Sequence, residues 1–322
     1  MSDKTGIAWT NATWNPVTGC TKVSQGCKHC YAEREWGRLS VNPKATAYYG
    51  RSFSDVACHD DRLDQPLRWK KPRMIFVNSM SDLFHEDVPK SFIDMVFAIM
   101  GLNQVMRDTP HVFQILTKRP ERMQAYMSDP DTLWRITMAM KAHGPELPGE
   151  NSPPVWPLPN VWLGVSIEDQ ETADERIPLL LQTPAAVRWV SAEPLLESIE
   201  INFALKSHMD RLGNWREGPG LAWVVCGGES GSHSRPMHAE WARKLRDDCA
   251  AAGVPFFMKQ LGAAFVGPDD GFGLFGAAAP YTSAKTYAFK RLKDRAGANM
   301  EEWPEDLRVR EWPKEAGSWK TL

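Results

Sequence analysis

VWLGVSIEDQETADERIPLLLQ, residues 161–182, decides the fold class. VWLGVSI is a short apolar, β-branched run, and ETADERIPLLLQ behind it has the mixed pattern of an amphipathic helix. A strand that is apolar along its whole length is covered on both faces, as in a parallel sheet. The same unit recurs. MIFVNS (74–79) precedes DVPKSFIDMVFAIMGL, HVFQILT (111–117) precedes KRPERMQAYM, and LAWVVCGG (221–228) precedes HAEWARKLRDDCAAAG. VRWVSA (187–192) and VPFFMKQ (254–260) are further runs. With a short strand at about 12–18, these predict seven strands in an α/β fold, a partial or complete parallel (β/α) TIM-type barrel. Pro89 and Gly253 mark a helix start and a helix stop.

Residues 1–262 are expected to form the barrel, with a Pro- and Gly-rich insertion, HGPELPGENSPPVWPLPN, at 143–160. Beyond 262 the periodicity fades, and 263–322 is expected to be a C-terminal extension packed on the barrel. The chain has 322 residues, 43% of them hydrophobic, enough for a sizeable core. Lys and Arg total 38 against 40 Asp and Glu, so no global basic field attracts a polyanion, although RWKKPR (68–73) is a local basic run. No apolar run reaches the ~18 residues of a membrane span. MSDKTGIAWTNATWN lacks the basic-then-apolar layout of a secretory leader, so a cytoplasmic, non-membrane protein is expected. Of the fourteen tryptophans, Trp162, Trp189 and Trp223 lie in strand-like runs, where core packing explains them.

Strand ends carry polar residues. The second run leads to Asn78, Ser79, Ser81 and Asp82, and the third to Thr117, Lys118 and Arg119. The fourth ends in Ser166 and Glu168, the fifth in Ser191 and Glu193. The sixth leads into CGGESGSHSR, with Glu229 and Arg235, and the seventh ends in Lys259 and Gln260. In a parallel barrel these ends converge on one mouth, which points to a polar site for a charged ligand. Gly227, Gly228 and Gly231 would let backbone N–H groups approach an anion, without a G-x-G-x-x-G or a GK[ST] motif.

GCTKVSQGCKHCYAE (19–33) places Cys20, Cys27 and Cys30 in a C-x6-C-x2-C spacing. Six cysteines in 322 residues are too sparse for a disulfide scaffold. Four readings compete. A structural zinc would take His29 as fourth ligand, or Cys58 and His59 from a distance, but no second C-x2-C is present. A redox C-x-x-C leaves Cys20 idle. The three could be unrelated structural cysteines. A 4Fe–4S cluster with three ligands best uses three thiols: electron-transfer clusters take four cysteines, and three leave one iron open to an outside molecule.

Three cysteines in a loop after a short first strand, with C-x2-C entering a helix and a parallel barrel following, resemble the radical S-adenosylmethionine superfamily. That superfamily spaces its cysteines C-x3-C-x2-C, whereas TKVSQG puts six residues in the first gap here. NSMSD (78–82) stands where a Gly-Gly-Glu element is usual, and His29 fills the commonly aromatic place before the last cysteine. TWNPVTGCTKVSQGCKHCYAE, VNSMSDLFHEDVP, ILTKRPERM, GVSIEDQ, VSAEPLL, GGESGSHSRPMH and VPFFMKQLG together are similar to a bacteriophage- and prophage-associated three-Cys-motif family, whose own first gap is six residues. SMSDLF and ILTKRP also resemble, distantly, spore photoproduct lyase, a radical enzyme of DNA repair.

The resemblance implies a 4Fe–4S cluster on Cys20, Cys27 and Cys30, S-adenosylmethionine on the open iron, and an electron donor of flavodoxin or ferredoxin type. A 5′-deoxyadenosyl radical would then modify or repair a substrate, with a nucleobase in DNA or RNA as the expected class. It places Ser79, Ser81 and Asp82 where the methionine amino group is held, and Ser166 and Glu168 on the ribose hydroxyls. Glu193 counts both with the cofactor-binding residues and, beside Glu229, Arg235 and Lys259, with the substrate side. Lys118 and Arg119 would meet a carboxylate or a phosphate. Glu229 and Lys259 are candidate catalytic groups, and Cys226 a candidate hydrogen-atom donor. The rival is a non-catalytic nucleic-acid-binding or scaffold protein that uses RWKKPR and a structural zinc or iron–sulfur site. That rival requires a fourth protein ligand and no affinity for S-adenosylmethionine.

Overall fold

The apolar runs become the strands of one parallel sheet. The computed structural model describes residues 5–143, 154–209, 214–218, 220–268, 287–290 and 292–314. The strands are β1 (Ala12–Trp14), β2 (Met74–Val77), β3 (Val112–Thr117), β4 (Val161–Ile167), β5 (Val187–Ala192), β6 (Trp223–Gly227) and β7 (Phe256–Gln260). Each pairs in parallel with the next in sequence, and the seven-stranded sheet curls into a half-barrel. The main helices are α1 (Tyr31–Leu39), α2 (Lys90–Val105), α3 (Pro120–Ser128), α4 (Thr132–His143), α5 (Gln170–Gln182) and α6 (Ala239–Ala252). Pro89 is the N-cap of α2, and Gly253 ends α6 in the left-handed conformation, φ +67°. Asp169 caps α5 through a capping box with Thr172. The sequence patterns did not mark α4.

The two-residue period of a strand divides the sheet into two faces. Ile75, Val77, Val224, Cys226, Phe256 and Met258 pack with Phe92, Ile93, Met123, Ile177 and Leu245 of the helices. The opposite set, Met74, Phe76, Val112, Trp162, Trp189, Trp223, Val225 and Phe257, packs with Trp9 on the inner face. This aromatic layer is dense: the Trp9 ring centroid lies 4.7 Å from Phe76 and 5.2 Å from Trp189. Gly164 makes room for it, because a Cβ there would meet the Trp189 indole at 2.6 Å. Trp162, Trp189 and Trp223 are thus core residues, as their positions in the runs imply.

Of the insertion expected at 143–160, residues 144–153 lie outside the described residues. Its far end is not exposed: Leu158 and Asn160 are buried, and Asn160 Nδ2 donates to the carbonyls of Met100 (3.1 Å) and His111 (3.3 Å). In the stretch 263–322, Phe265–Pro268 pairs with Met237–His238 and with Tyr287–Lys290 in a small separate sheet. Residues near 310 run along β7, with Val309 O accepting from Met258 N (2.8 Å) and Glu311 N donating to Phe256 O (3.0 Å). Trp303 and Leu307 are buried in the helix-side core.

His111, at the base of β3, is fully buried. Its Nδ1 accepts from Arg73 N (3.1 Å), so Nε2 carries the proton and donates to Pro66 O (3.0 Å). Burial, then the Arg107 and Arg73 charges, hold its pKa down to about 4. The unfolded chain takes up this proton near pH 6.5 and the folded chain only near pH 4. Stability from this group is therefore lost as pH falls through that interval, by roughly 3 kcal/mol. Denaturant unfolding of wild type and His111→Gln from pH 7.5 to 4.5 should show the gap between them narrowing as pH falls.

Candidate active-site cavity

Inner-face positions change character toward the carboxyl ends of the strands. Two residues beyond Phe76 comes Asn78, beyond Leu116 comes Lys118, and beyond Gly164 comes Ser166; beyond Trp189 come Ser191 and Glu193, and beyond Phe257 comes Lys259. Asn78, Lys118, Ser166, Ser191, Glu193 and Lys259 line one cavity of about 360 Å³, with Trp9, Phe76 and Leu116 among its apolar residues. Cys20, Cys27 and Cys30 line it too, on the loop between β1 and α1.

Contacts with the strand ends hold that loop. Gly19 N donates to Met80 O (3.2 Å), and Cys20 N to Phe53 O (2.8 Å). Arg119 Nη2 donates to the carbonyl (3.2 Å) and hydroxyl (2.9 Å) oxygens of Thr21, while its Nη1 lies 3.7 Å from Cys20 Sγ. Ser24 Oγ donates to Glu168 Oε1 (3.1 Å). Gly26 is required beside it, since a Cβ there would stand 2.3 Å from Glu168 Cγ. Immediately after Cys30 the chain enters α1, whose first residue, Tyr31, donates its hydroxyl to Ser79 O.

Two buried carboxylates organise the wall. Glu168 is fully buried, accepting from Lys118 Nζ and, at 3.2–3.3 Å, from Arg176 Nη1 of α5. Asp82 accepts from Thr117 Oγ1 (2.8 and 2.9 Å), Phe84 N (2.9 Å), Lys118 N (3.0 Å) and Arg119 Nη1 (3.4 Å). Burial lowers the Lys118 pKa to about 8, against the opposing pull of the Cys27 and Cys30 sulfurs. Burial and Asp82 push Cys20 up to about 12, although Arg119 works against them. Cys27 goes the other way: burial raises it, but Lys118 and the N–H groups of Val23 and Ser24 together outweigh that. Cys30 is raised by burial, partly offset by the N–H groups of Glu33 and Ala32 in the first turn of α1.

A family model described as a protein of unknown function, DUF5131, matches residues 4–306. The chain belongs to that family. No curated protein and no solved structure matches it.

In this DUF5131 chain the cavity gathers most of the residues singled out in the sequence: Ser79, Ser81, Asp82, Lys118, Arg119, Ser166, Glu193, Glu229 and Lys259, with the three cysteines. Several already have partners. Lys259 Nζ donates to Glu193 Oε1 (2.6 Å), and Arg235 grips Glu229 through Nε (3.1 Å) and Nη2 (2.6 Å). Ser79 Oγ donates to Asn15 Oδ1 (3.2 Å) and Ser81 Oγ to Val17 O (2.8 Å). The carboxylate expected by Lys118 and Arg119 is the protein's own, Glu168 for one, Asp82 and Glu86 for the other.

Three expectations change. Glu168 has no free carboxylate for a ribose, because Lys118, Arg176 and Ser24 take it up. Asp82, for the same reason, is a structural acceptor rather than a ligand for an amino group. Cys226 is fully buried and belongs to the helix-side core, one residue out of phase with Val225 and Gly227, so its thiol is turned from the cavity. Residues not singled out beforehand are Ser24, Gly26, Tyr31 and Arg176. Arg176 had a signal: it lies one position before Ile177, among residues that α5 buries.

The donor set suits an anionic, thiolate-bound group. Only three of the six cysteines line the cavity; Cys58 lies in a separate hollow with His59, and Cys226 and Cys249 are buried. Among the described residues, no group of three or more His, Cys, Asp or Glu side chains is arranged for a single metal ion. Asn78 lines the cavity in a left-handed conformation (φ +61°), and its buried Nδ2 has no acceptor among the described residues. RWKKPR leads into the amino end of β2, opposite the cavity; Arg68 there pairs with Asp64, and Arg73 lies 4.9 Å from the Trp69 ring centroid. No described helix is long and apolar enough to cross a membrane.

Proposed function

We propose that this chain is an iron–sulfur enzyme of the radical S-adenosylmethionine type that modifies or repairs a substrate, with a nucleobase as the substrate class. The carrying observation is that Cys20, Cys27 and Cys30, and no other cysteine, line one cavity at the carboxyl ends of a parallel half-barrel sheet. When bound, a 4Fe–4S cluster and S-adenosylmethionine supply a 5′-deoxyadenosyl radical through one-electron cleavage of the sulfonium bond.

The protein's part is binding, orientation and exclusion of water. The three thiolates would hold the cluster, and Ser79 and Ser81 stand where the resemblance expects the methionine end; Asn78 beside them accepts from Val17 N through Oδ1 (3.3 Å), leaving its Nδ2 without an acceptor among the described residues. Ser191 offers a hydroxyl to a ribose in place of the engaged Glu168, since Ser166 already donates to Glu193 O (3.1 Å) and accepts from Lys118 Nζ (2.7 Å). Trp9, Tyr31, Phe53 and Phe76 present ring surfaces suited to adenine or to a substrate base. Glu193–Lys259 and Glu229 face the substrate side, where an ion pair can exchange its partner for a polar substrate group. A cytoplasmic setting with an electron donor of flavodoxin or ferredoxin type completes the reading.

Anaerobic reconstitution with iron and sulfide, then dithionite and S-adenosylmethionine, tests this. About four irons per chain, as one 4Fe–4S cluster requires, and release of 5′-deoxyadenosine are expected. Stoichiometric zinc in a folded protein that takes up no iron would refute it.

Gly26→Ala probes the loop separately. The new methyl collides with the Glu168 side chain, so a loss of about 1–3 kcal/mol and weaker iron retention are expected. Gly37→Ala on α1 meets nothing within 4 Å and should gain up to about 1 kcal/mol in denaturant unfolding.

A further inference from the structure

The dipeptide Lys118–Arg119 places two cations beside the three thiols. Arg119 Nη1 lies 3.7 Å from Cys20 Sγ, a charge-assisted N–H···S contact. Lys118 lines the same cavity as Cys27 and Cys30, with its ammonium held by Ser166 Oγ (2.7 Å) and Glu168. Behind it Arg176, almost fully buried, shares Glu168. The enclosed charges of this wall are Lys118, Arg119 and Arg176 against Asp82 and Glu168, an excess of one positive charge. The exposed Glu86 also faces Arg119 but is screened by solvent.

Resting on the iron–sulfur reading above, we infer that Lys118 and Arg119 are positioning residues that set the reduction potential of the cluster. A cluster gains one negative charge when it accepts one electron from a reductant. A fixed positive excess at short range in a poorly screened wall favours that reduced form. Hydrogen bonds to ligand sulfurs act in the same direction. Because Glu168 partly cancels Lys118, the two members of one ion pair act on the potential with opposite signs. Loosening or wetting of the site would not reproduce that sign pattern.

The test is an anaerobic redox titration of the reconstituted protein, poised with dithionite and mediators and read by electron paramagnetic resonance of the reduced cluster. Lys118→Met keeps Glu168 paired with Arg176 and should make the cluster harder to reduce, with about a tenfold lower ratio of reduced to oxidised cluster at fixed poise, equivalent to about 59 mV. Glu168→Gln should shift the ratio the other way. Ser24→Ala removes the loop's bond to Glu168 and a weak 3.9 Å hydroxyl–sulfur contact with Cys27 without changing charge, and should shift the ratio by less than Lys118→Met does. A Lys118→Met protein that binds cluster and titrates like wild type, or more easily, overturns the inference. So do shifts of the same sign in Lys118→Met and Glu168→Gln. Should Glu168→Gln not fold, Arg119→Gln replaces it, with a shift in the same direction as Lys118→Met supporting the inference and no shift overturning it. Wild type that shows no reducible cluster overturns instead the functional reading beneath it.

Discussion

Cys27→Ala is expected to give a folded chain that holds no stable cluster and releases no 5′-deoxyadenosine. The thiol is half-buried at the cavity wall and belongs to none of the hydrophobic cores, so its removal costs little stability. Under the proposed function its loss would leave two protein ligands for a cluster. Outer partners of metal ligands cost roughly 10–100-fold in affinity or activity when removed, and a ligand itself should exceed that. Cys20→Ala and Cys30→Ala should behave alike. Cys226→Ala and Cys249→Ala remove thiols from the helix-side core; they should lower stability yet keep iron stoichiometry and product release. Iron per chain and 5′-deoxyadenosine yield, measured on all five variants with circular dichroism as a folding control, separate the two sets. Retention of iron by Cys27→Ala would end the assignment of the site.

Asp82→Ala should be the most damaging change to the fold among the cavity residues. Its carboxylate ties the turn after β2 to the end of β3, accepting from Phe84 N, Thr117 Oγ1, Lys118 N and Arg119. Alanine leaves Arg119 without its buried partner and two backbone N–H groups without an acceptor. Breaking such a buried pair costs about 3–5 kcal/mol. A fall in Tm of roughly 10 °C follows, read by thermal denaturation of the iron-free protein. Ser81→Ala removes one hydroxyl bond, to Val17 O, and should cost about 1 kcal/mol. Equal melting of the two variants would show that Asp82 has no such structural role and return it to the ligand side.

Strand identity was legible because burial on both faces demands unbroken apolar runs; VWLGVSI and VRWVSA match β4 and β5 residue for residue. Helix limits were legible at Pro89 and Gly253, whose backbone preferences are local. Helix α4 escaped because TLWRITMAMKAH leaves Trp134 and Met138 exposed, which blurs the amphipathic contrast. Most of the cavity was legible as well, since a parallel sheet brings its carboxyl ends together whatever its loops do. The Cys226 error lay within reach of sequence: counting in twos from Trp223 puts Val225 and Gly227 on its face and Cys226 on the other.

The C-x6-C-x2-C spacing, the seven apolar runs and the polar residues after them are properties of the chain itself, because they follow from backbone periodicity and local conformational preference. Which polar groups stay free was decided only in three dimensions. Glu168 and Asp82 look like ligands in a linear chain, yet Arg176, eight residues on, and Thr117, thirty-five away, occupy their oxygens. A carboxylate removed from water must find cations and N–H donors, and those partners come from whichever elements the tertiary packing places beside it.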